Sequence, residues 1–487
     1  MSSRRSRLVP SEIREELAES LAALRESLDL PPAFAAEVEA EALAARDSTP
    51  TDPASAGLAD LREIEFVTVD PPGSTDLDQA VHLSRTPTGG VLHYAIADVP
   101  AYVVPGGTVD LEARRRGQTL YAPDGRVPLH PRVLGEDAAS LLPDRDRRAF
   151  VWRFELDDDA VPVRTELIRA VIRSRRQWDY ESAQRAIDAG SAPAPLAAMP
   201  WFGRERASRE QERGGASLNL PETRVVVEEH GYRLERREGV PLEDWNAQVS
   251  LLTGMAAAEI MLRGGVGILR TLPPAAADDL AEFRSRTVAL GIPWLPEVPY
   301  GEYLQSLDRS PAARAIKEYA GGLFRGAGYV AFCGETPAET IQAAIGAPYA
   351  HATAPLRRLV DRWVLVICEA LANGREAPRW ATESLHELPA LMSRSAQRSS
   401  QLTAGVLDRV EAAVLHGHEG AEFTAVVVGS RTDGARVQLA QPPVDSKVVG
   451  LSAEPGSTVR LRLTKADVTT GTTEFAPVES NRGSGMR

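Results

Sequence analysis

A short acidic segment places strict limits on how this chain can fold locally. Phe66–Val69 is apolar or β-branched at every position, which predicts a strand, and Asp70 follows directly. Residues 71–73 are Pro-Pro-Gly and force a turn, because proline fixes φ and glycine reaches conformations closed to other residues. Asp76 and Asp78 lie two residues apart, so on an extended backbone their side chains point the same way. The turn is expected to bring both of them back toward Asp70.

Three carboxylates that converge in this way indicate a cation site. They repel one another, so the cluster is costly unless a cation neutralises it. Hard oxygen ligands of this kind suit Mg²⁺ or Mn²⁺. The alternative is an acidic surface turn, since aspartate is itself a favoured turn residue. The segment alone leaves both interpretations open.

The composition is that of a globular protein with two or three domains. The 487 residues are 43% hydrophobic and 25% charged. No apolar run approaches the ~20 residues that a membrane span requires, and the basic N-terminus lacks the apolar segment of a secretory signal. The only cysteines are Cys333 and Cys368, which fits a reducing compartment. A cytoplasmic protein without membrane contact is therefore predicted.

The net charge of −13 argues mildly against tight non-specific binding of a polyanion. It does not exclude nucleic acid, because net charge averages over the whole surface. Positive potential along one narrow channel is sufficient for a single strand.

Hydrophobic periodicity divides the chain into four parts. Residues 1–58 are predicted to be a helical region and linker, with leucines at helical spacing at positions 17, 21, 24 and 28. Residues 59–418 read as strand-rich first and mostly helical after about residue 175. Residues 419–479 alternate as short strands with glycine turns, which is typical of a small OB- or S1-like β-barrel. Residues 480–487 are predicted to be a disordered tail.

Four motifs in order resemble one family. Residues 69–80 resemble the first signature of the ribonuclease II (RNB) family of 3′→5′ exoribonucleases, where acidic sequence after a strand holds catalytic magnesium. Residues 93–99 are similar to its apolar strand ending in Ala-Asp, and residues 116–131 to the segment with its active-site tyrosine. Residues 353–361 are similar to its Thr-Ser-Pro-Ile-Arg-Arg-Tyr-x-Asp signature. Agreement at four places across about residues 60–375 argues against chance.

The resemblance implies a fold and a metal site. The expected fold is α+β: an RNB catalytic domain with a mixed twisted sheet and surrounding helices, between the N-terminal helical region and the C-terminal barrel. By the same resemblance, Asp70, Asp76 and Asp78 would hold one or two Mg²⁺ ions, with Mn²⁺ as the alternative metal. Gln79 stands where the family has a further aspartate, and it could ligate only as a neutral oxygen donor.

The resemblance also assigns substrate contacts and a reaction. Asp78 and Arg357 would be catalytic, Arg357 would contact the phosphate, and Arg358 would also bind the substrate. Tyr121 would pack on the terminal nucleotides. The predicted protein is a monomer that degrades single-stranded RNA processively to nucleoside 5′-monophosphates.

Departures from the family pattern keep two other functions open. Gln79 carries no charge, and Ser250 or Leu251 stands where a family glutamate is expected. Both changes favour an RNA-binding protein with impaired catalysis. The acidic surface and the lack of the two cold-shock barrels found in many relatives favour a metal-dependent phosphodiesterase on DNA or short oligonucleotides.

Overall fold

The fold was obtained as a computed structural model. It describes residues 11–215, 222–228, 231–237, 239–308, 310–323, 325–431 and 433–478. The predicted tail at 480–487 lies outside these residues.

Helices and strands occupy most of the described chain. The helices are α1 (Ser11–Ser27), α2 (Ala36–Ser48), α3 (Pro53–Ala56), α4 (Thr108–Arg116), α5 (Tyr180–Asp188), α6 (Ala194–Ala197), α7 (Met199–Glu212), α8 (Pro241–Gly264), α9 (Ala277–Ala289), α10 (Tyr300–Ser306), α11 (Pro311–Gly321), α12 (Leu359–Ala372), α13 (Arg379–Ser384) and α14 (Leu388–Leu415). The strands of the first half are β1 (Ala59–Asp60), β2 (Phe66–Val69), β3 (Gln79–Thr86), β4 (Gly89–Ala97), β5 (Leu120–Ala122), β6 (Gly125–Val127), β7 (Asp146–Leu156) and β8 (Pro162–Trp178). The strands of the second half are β9 (Glu222–Glu228), β10 (Gly231–Arg237), β11 (Val266–Thr271), β12 (Gly328–Cys333), β13 (Ile341–Gln342), β14 (Ala347–Pro348), β15 (Glu422–Arg431), β16 (Gly434–Leu439), β17 (Asp445–Val449), β18 (Thr458–Asp467) and β19 (Thr472–Pro477).

The central sheet is mixed and curls onto itself. Its order is β1-β8-β2-β3-β4-β7, and β8 also pairs with β7. The long strand β8 pairs antiparallel with β7 along its first part and parallel with β2 at its end. This confirms the mixed sheet expected from the sequence.

One end of this sheet carries the acidic segment, residues 70–78, which we call the acid loop. Gly73 has φ +79°, a left-handed conformation that glycine adopts without penalty, and the Ser74 N–H donates to the Pro71 carbonyl (3.2 Å). Leu77 is buried, and its N–H donates to Ser140 Oγ (2.9 Å). The predicted strand and turn are confirmed, and the buried Leu77 anchors the acid loop to the protein core.

The helices bury one face of the sheet. Trp152 and Phe154 of β7 belong to the same buried cluster as Phe202 of α7, Leu252 of α8 and Trp363 of α12. Because α12 begins at Leu359, the sheet and this helix together fix the segment that precedes it.

The second half is less helical than predicted. The hairpin β9–β10 and the antiparallel pair β11–β12 interrupt the region that was expected to be mostly helical. Glycine and β-branched residues at 264–268 and 327–330 signal these strands only weakly, because each is short and flanked by helices.

The C-terminal part is a small antiparallel barrel, as predicted. Its strand order is β17-β16-β15-β18-β19, and Ser446 Oγ of β17 lies 3.5 Å from Thr473 Oγ1 of β19, so the sheet nearly closes. The polar residues of β17 and β19 make the alternation of these two strands hard to recognise in the sequence. The N-terminal helical region is also confirmed: Leu17 and Leu21 of α1 share one buried cluster with α14 and the barrel. No helix within the described ranges is long and apolar enough to cross a membrane.

Candidate active site

Two segments far apart in sequence meet at Asp78. The backbone N–H of Leu356 donates to Asp78 Oδ1 (2.7 Å), and Arg357 Nε donates to Asp78 Oδ2 (2.7 Å). Asp78 is 1% exposed and is separated from Leu356 by 278 residues. Both oxygens of this buried carboxylate are therefore satisfied by residues 353–358, which we call the motif loop.

The shape of the motif loop is set by a buried aspartate in the first turn of α12. Asp361 Oδ1 accepts from the Ala354 N–H (2.7 Å), and its side chain also pairs with Arg358 (3.0 Å). The N–H groups of Arg357 and Arg358 both donate to the Ala354 carbonyl (3.1 and 2.8 Å), which closes a tight turn. Arg357 and Arg358 thus diverge: Arg357 reaches the acid loop, whereas Arg358 is tied to Asp361.

The hairpin β5–β6 approaches the acid loop from another side. The Tyr121 hydroxyl donates to Asp76 Oδ2 (2.7 Å), and Arg126 Nη1 donates to Asp76 Oδ1 (2.6 Å). Arg126 also pairs with Glu136 (2.8 Å). Tyr121 is 51% exposed, so about half of the residue remains accessible to solvent. The expected tyrosine is at the site, and Arg126 is a site residue that the sequence analysis did not identify.

Burial and mutual repulsion act on the carboxylates of the acid loop. Burial raises the pKa of Asp70 to about 7, the nearby Arg357 opposes this rise, and the carboxylates of Asp78 and Asp76 add to it. Burial also raises the pKa of Asp78 to about 6, against the opposing effects of Arg357 and the Leu356 N–H. The three aspartates therefore lie within electrostatic reach of one another, as the turn predicted.

Gln79 joins the two loops. Its side-chain Nε2 donates to the Thr353 carbonyl, at the start of the motif loop. The carboxamide is partly buried, and its nitrogen faces the protein. Gln79 therefore has a structural contact in the place where the family resemblance expects a charged metal ligand.

A row of hydroxyl and amide groups lies beside Asp70. The Tyr94 hydroxyl and Ser250 Oγ are 2.9 Å apart, and Asn246 Nδ2 donates to the Tyr180 hydroxyl (3.1 Å). Burial raises the pKa of Tyr180 to about 12, and the Asp70 carboxylate adds to the rise. Asn246 and Ser250 are one helical turn apart on α8, a spacing that could have revealed a shared face. Ser250 thus faces the site in place of the expected glutamate.

The donors suit a hard divalent cation, although they are not arranged as a preformed site. Asp70 accepts no hydrogen bond from the described residues, and a cation would neutralise its half-buried charge. Asp76 and Asp78 have both oxygens engaged by Tyr121, Arg126 and the motif loop. Accordingly, no group of three His, Cys, Asp or Glu side chains in the described ranges is placed to hold an ion.

Comparison with known protein families shows which family this chain belongs to. Residues 58–373 match the family model described as RNB domain. The chain belongs to the RNB-domain family. Residues 421–478 match a second model, described as RNase II-type exonuclease C-terminal S1 domain, which covers the barrel. The motifs that resembled the RNB family thus lie within a match that extends over most of the chain.

Relatives in the RNB-domain family are longer proteins. The chain is 26% identical to the human exosome complex exonuclease RRP44 over 334 residues, which is 62% of this chain and 33% of that protein. It is 25% identical to ribonuclease R of Escherichia coli (strain K12) over 452 residues, 86% of this chain and 54% of that protein. The chain therefore spans about a third to a half of the length of these relatives.

A solved structure shares the whole architecture. Mycoplasma genitalium RNase R, in complex with ribose-methylated single-stranded RNA, superimposes with a TM-score of 0.84 at 18% identity. The match covers 95% of this chain and 78% of the other. The RNB fold, the N-terminal helices and the barrel are thus arranged as in a known protein.

Proposed function

We propose that this protein is a 3′→5′ exoribonuclease that hydrolyses single-stranded RNA processively to nucleoside 5′-monophosphates with a divalent cation. The observation that carries the proposal is the meeting of Asp78 with Leu356 and Arg357 across 278 residues. This contact places a buried carboxylate and an oriented guanidinium next to two further aspartates. Membership of the RNB-domain family supports the same reaction.

Arg357 is the residue best placed to bind phosphate. Its Nε is used by Asp78, and its side chain is 42% exposed. Its two Nη groups have no hydrogen-bond partner in the part of the chain that the structure describes. A guanidinium held at Nε presents these groups in a fixed plane, which suits two phosphate oxygens. We assign Arg357 to the scissile phosphate. Arg358 affects the substrate only indirectly: together with Asp361, it holds the backbone of the motif loop in place.

Asp70, Asp76 and Asp78 would hold the cation, with Mg²⁺ as the preferred ion. A bound divalent ion supplies an activated water and neutralises charge on the phosphate. Asp76 would have to release Tyr121 and Arg126 for its oxygens to become available to the ion. The Tyr121 ring and the Arg126 guanidinium are then free to contact the terminal nucleotide and its phosphate. Gln79 is assigned to holding Thr353 rather than to the ion.

Single-stranded RNA labelled at its 5′ end tests the proposal directly. With Mg²⁺ or Mn²⁺ the protein should shorten the labelled RNA from its 3′ end, one nucleotide at a time, and release nucleoside 5′-monophosphates. The same oligonucleotide as DNA, and the Asp78→Asn protein, serve as controls. Degradation of the DNA strand at an equal rate would instead indicate a phosphodiesterase that does not select the sugar.

The residue at position 79 suggests a second candidate function. Gln79 replaces a family carboxylate and is bonded to Thr353, and both oxygens of Asp78 are engaged. These contacts favour an RNB-fold protein that binds RNA without hydrolysing it. Retention of labelled RNA at full length under every metal condition, with measurable binding, would support this candidate. We further propose that the protein is a monomer and that it acts in the cytoplasm, where a reducing environment suits its two free thiols, Cys333 and Cys368.

A further inference from the structure

The hairpin β5–β6 has two faces with different environments. Leu120 and Val127 are buried in the cluster that also contains Leu17 and Leu21 of α1. Tyr121 and Arg126 lie at the alternate positions and bond to the acid loop. Because side chains alternate across a strand, one face of the hairpin packs on the core while the other faces the site.

The tip of this hairpin is tied to α1 by an ion pair. Arg25 Nη1 lies 2.7 Å from both carboxylate oxygens of Asp124. The two side chains are only 20% and 16% exposed, so solvent screens the pair less than an ordinary surface pair. Asp124 lies in the two-residue turn between β5 and β6 and directly precedes Gly125, which has φ +151° at the start of β6. The contact therefore fixes the turn that joins Tyr121 to Arg126.

Helix α1 is itself firmly placed. Ser20 Oγ contacts the carbonyls of Val468 (3.0 Å) and Thr469 (2.9 Å) beside the barrel, and Arg409 Nε of α14 donates to Ser20 Oγ (2.8 Å). An anchored helix can hold the hairpin tip at a defined distance from the acid loop.

The base of the hairpin is braced by the segment after α1. Arg116 donates from Nη1 to the Pro128 carbonyl (3.0 Å), next to the end of β6. It also donates from Nη2 to the Ala33 carbonyl (2.7 Å) and stacks over the Phe34 ring at 3.8 Å. The N-terminal region thus contacts the hairpin directly at its tip, shares a buried cluster with it, and is linked through Arg116 to Pro128 beside its base.

From these contacts we propose that Arg25 is a positioning residue: helix α1 sets the hairpin so that Tyr121 stands over the acid loop. Helix α1 lies before residue 58, where the match to the RNB domain begins. The role is therefore carried by a part of this chain outside the catalytic module. The inference rests on the proposed function for its kinetic consequence, although the placement of the hairpin is measurable without any activity.

The central experiment compares Arg25→Ala with Arg46→Ala. Arg46 pairs with its neighbour Asp47 on α2 and has no described contact with the hairpin, so it controls for loss of an N-terminal arginine. Hydrogen exchange of the backbone amides at residues 120–127 should be faster in Arg25→Ala and unchanged in Arg46→Ala. On a short single-stranded RNA, Arg25→Ala should raise KM by about threefold to tenfold, as expected for loss of one partly buried ion pair, with kcat within about twofold.

Two rescue variants separate positioning from general damage. Arg25→Lys retains a cation and should restore most of the parental exchange rate and KM. The double change Arg25→Glu with Asp124→Arg reverses the pair and should recover part of both, whereas Asp124→Arg alone should behave like Arg25→Ala or worse. Equal melting temperatures of Arg25→Ala and Arg46→Ala would show that the fold is intact.

The outcomes distinguish this inference from the proposed function. Unchanged exchange at residues 120–127 in Arg25→Ala would overturn the inference, even if the protein degrades RNA. A fall in kcat with KM unchanged would overturn it too, because the metal-bearing acid loop would then be the part affected. A parent protein that degrades no RNA would overturn the proposed function, and faster exchange rescued by the reversed pair would still support the placement of the hairpin.

Discussion

Two buried carboxylates in this protein differ in how closely a cation approaches them. Asp78 receives a backbone N–H and the Arg357 guanidinium, each at 2.7 Å. Glu411 of α14 is 4% exposed and receives the N–H of Asp445 (3.1 Å). Burial raises the pKa of Glu411 to about 8; the Asp445 N–H and the Arg436 guanidinium oppose this rise, and the Asp445 and Asp408 carboxylates add to it. The pKa of Asp78, with a cation beside it, rises only to about 6.

This difference in pKa distinguishes a carboxylate that can take part in catalysis from one that only contributes to packing. At neutral pH Asp78 is mainly ionised, whereas Glu411 is mainly protonated, because burial disfavours the charged form and the directly bonded Arg357 compensates for it at Asp78. Charge is therefore retained where the acid loop meets the motif loop and is suppressed where α14 meets the barrel. The same residue chemistry gives a candidate catalytic group in one place and a neutral hydrogen-bonding group in the other.

The largest effect is expected from Asp78→Asn. The change preserves shape but removes the charge, so hydrolysis of labelled RNA should fall by about three orders of magnitude or more while RNA binding survives. Glu411→Gln makes the same kind of change at the other buried carboxyl and should leave the rate near the parental value. Equal losses in both variants would remove the distinction between the two sites.

Tyr121→Ala extends the comparison of carboxylates to Asp76, which accepts hydrogen bonds from the hairpin β5–β6. Loss of the ring should weaken the hold on the terminal nucleotides by ~1–3 kcal/mol and leave a longer final product. Tyr121→Phe keeps the ring and loses only the hydroxyl that bonds to Asp76, so its final product should match the parent. Product lengths resolved on a sequencing gel measure this. An unchanged product from Tyr121→Ala would mean that the tyrosine only packs.

Glu411→Gln should change the pH dependence of stability. The carboxyl loses its proton near pH 4.5 in the unfolded chain and near pH 8 in the folded one. Between these values the unfolded state binds fewer protons, so the free energy of unfolding of the parent falls as pH rises. Glutamine removes this slope, and the variant should melt on the order of 5 °C higher than the parent at pH 9 and about equally at pH 4.5.

A matched control is Glu259→Gln, an exposed glutamate on α8. Its melting temperature should follow that of the parent at both pH values. A Glu411→Gln protein that also follows the parent at pH 9 would show that the buried carboxyl is not held neutral.

The smallest effect is expected from Gln79→Asp. A carboxylate next to Asp78 should lower the Mg²⁺ concentration for half-maximal activity by about threefold to tenfold. The change also removes the donor to the Thr353 carbonyl, and Gln79→Ala isolates that loss without adding charge. Metal titrations of all three proteins on one labelled RNA measure the difference. Identical curves would place position 79 outside the reach of the ion.

The sequence predicted local features well. The strand Phe66–Val69 and its turn followed from β-branched residues, proline and glycine, and the leucine spacing of α1 was sufficient to predict a helix. The candidate site residues could be named only through family resemblance, because periodicity cannot reveal that Arg357 folds onto Asp78. The Tyr94–Ser250 contact and the role of Arg126 depend on how β4, α8 and the hairpin pack, which no short pattern records.

The separation of the two loops has a consequence for biosynthesis. A nascent chain that ends before Leu356 already contains the whole acid loop, but Asp78 lacks both of its partners. Closing so large a loop is costly in entropy and has to be offset by the packing of α12 on the sheet. A ribosome-bound or truncated chain is therefore expected to be inert toward RNA, including the message from which it is being translated, until the motif loop has emerged and docked.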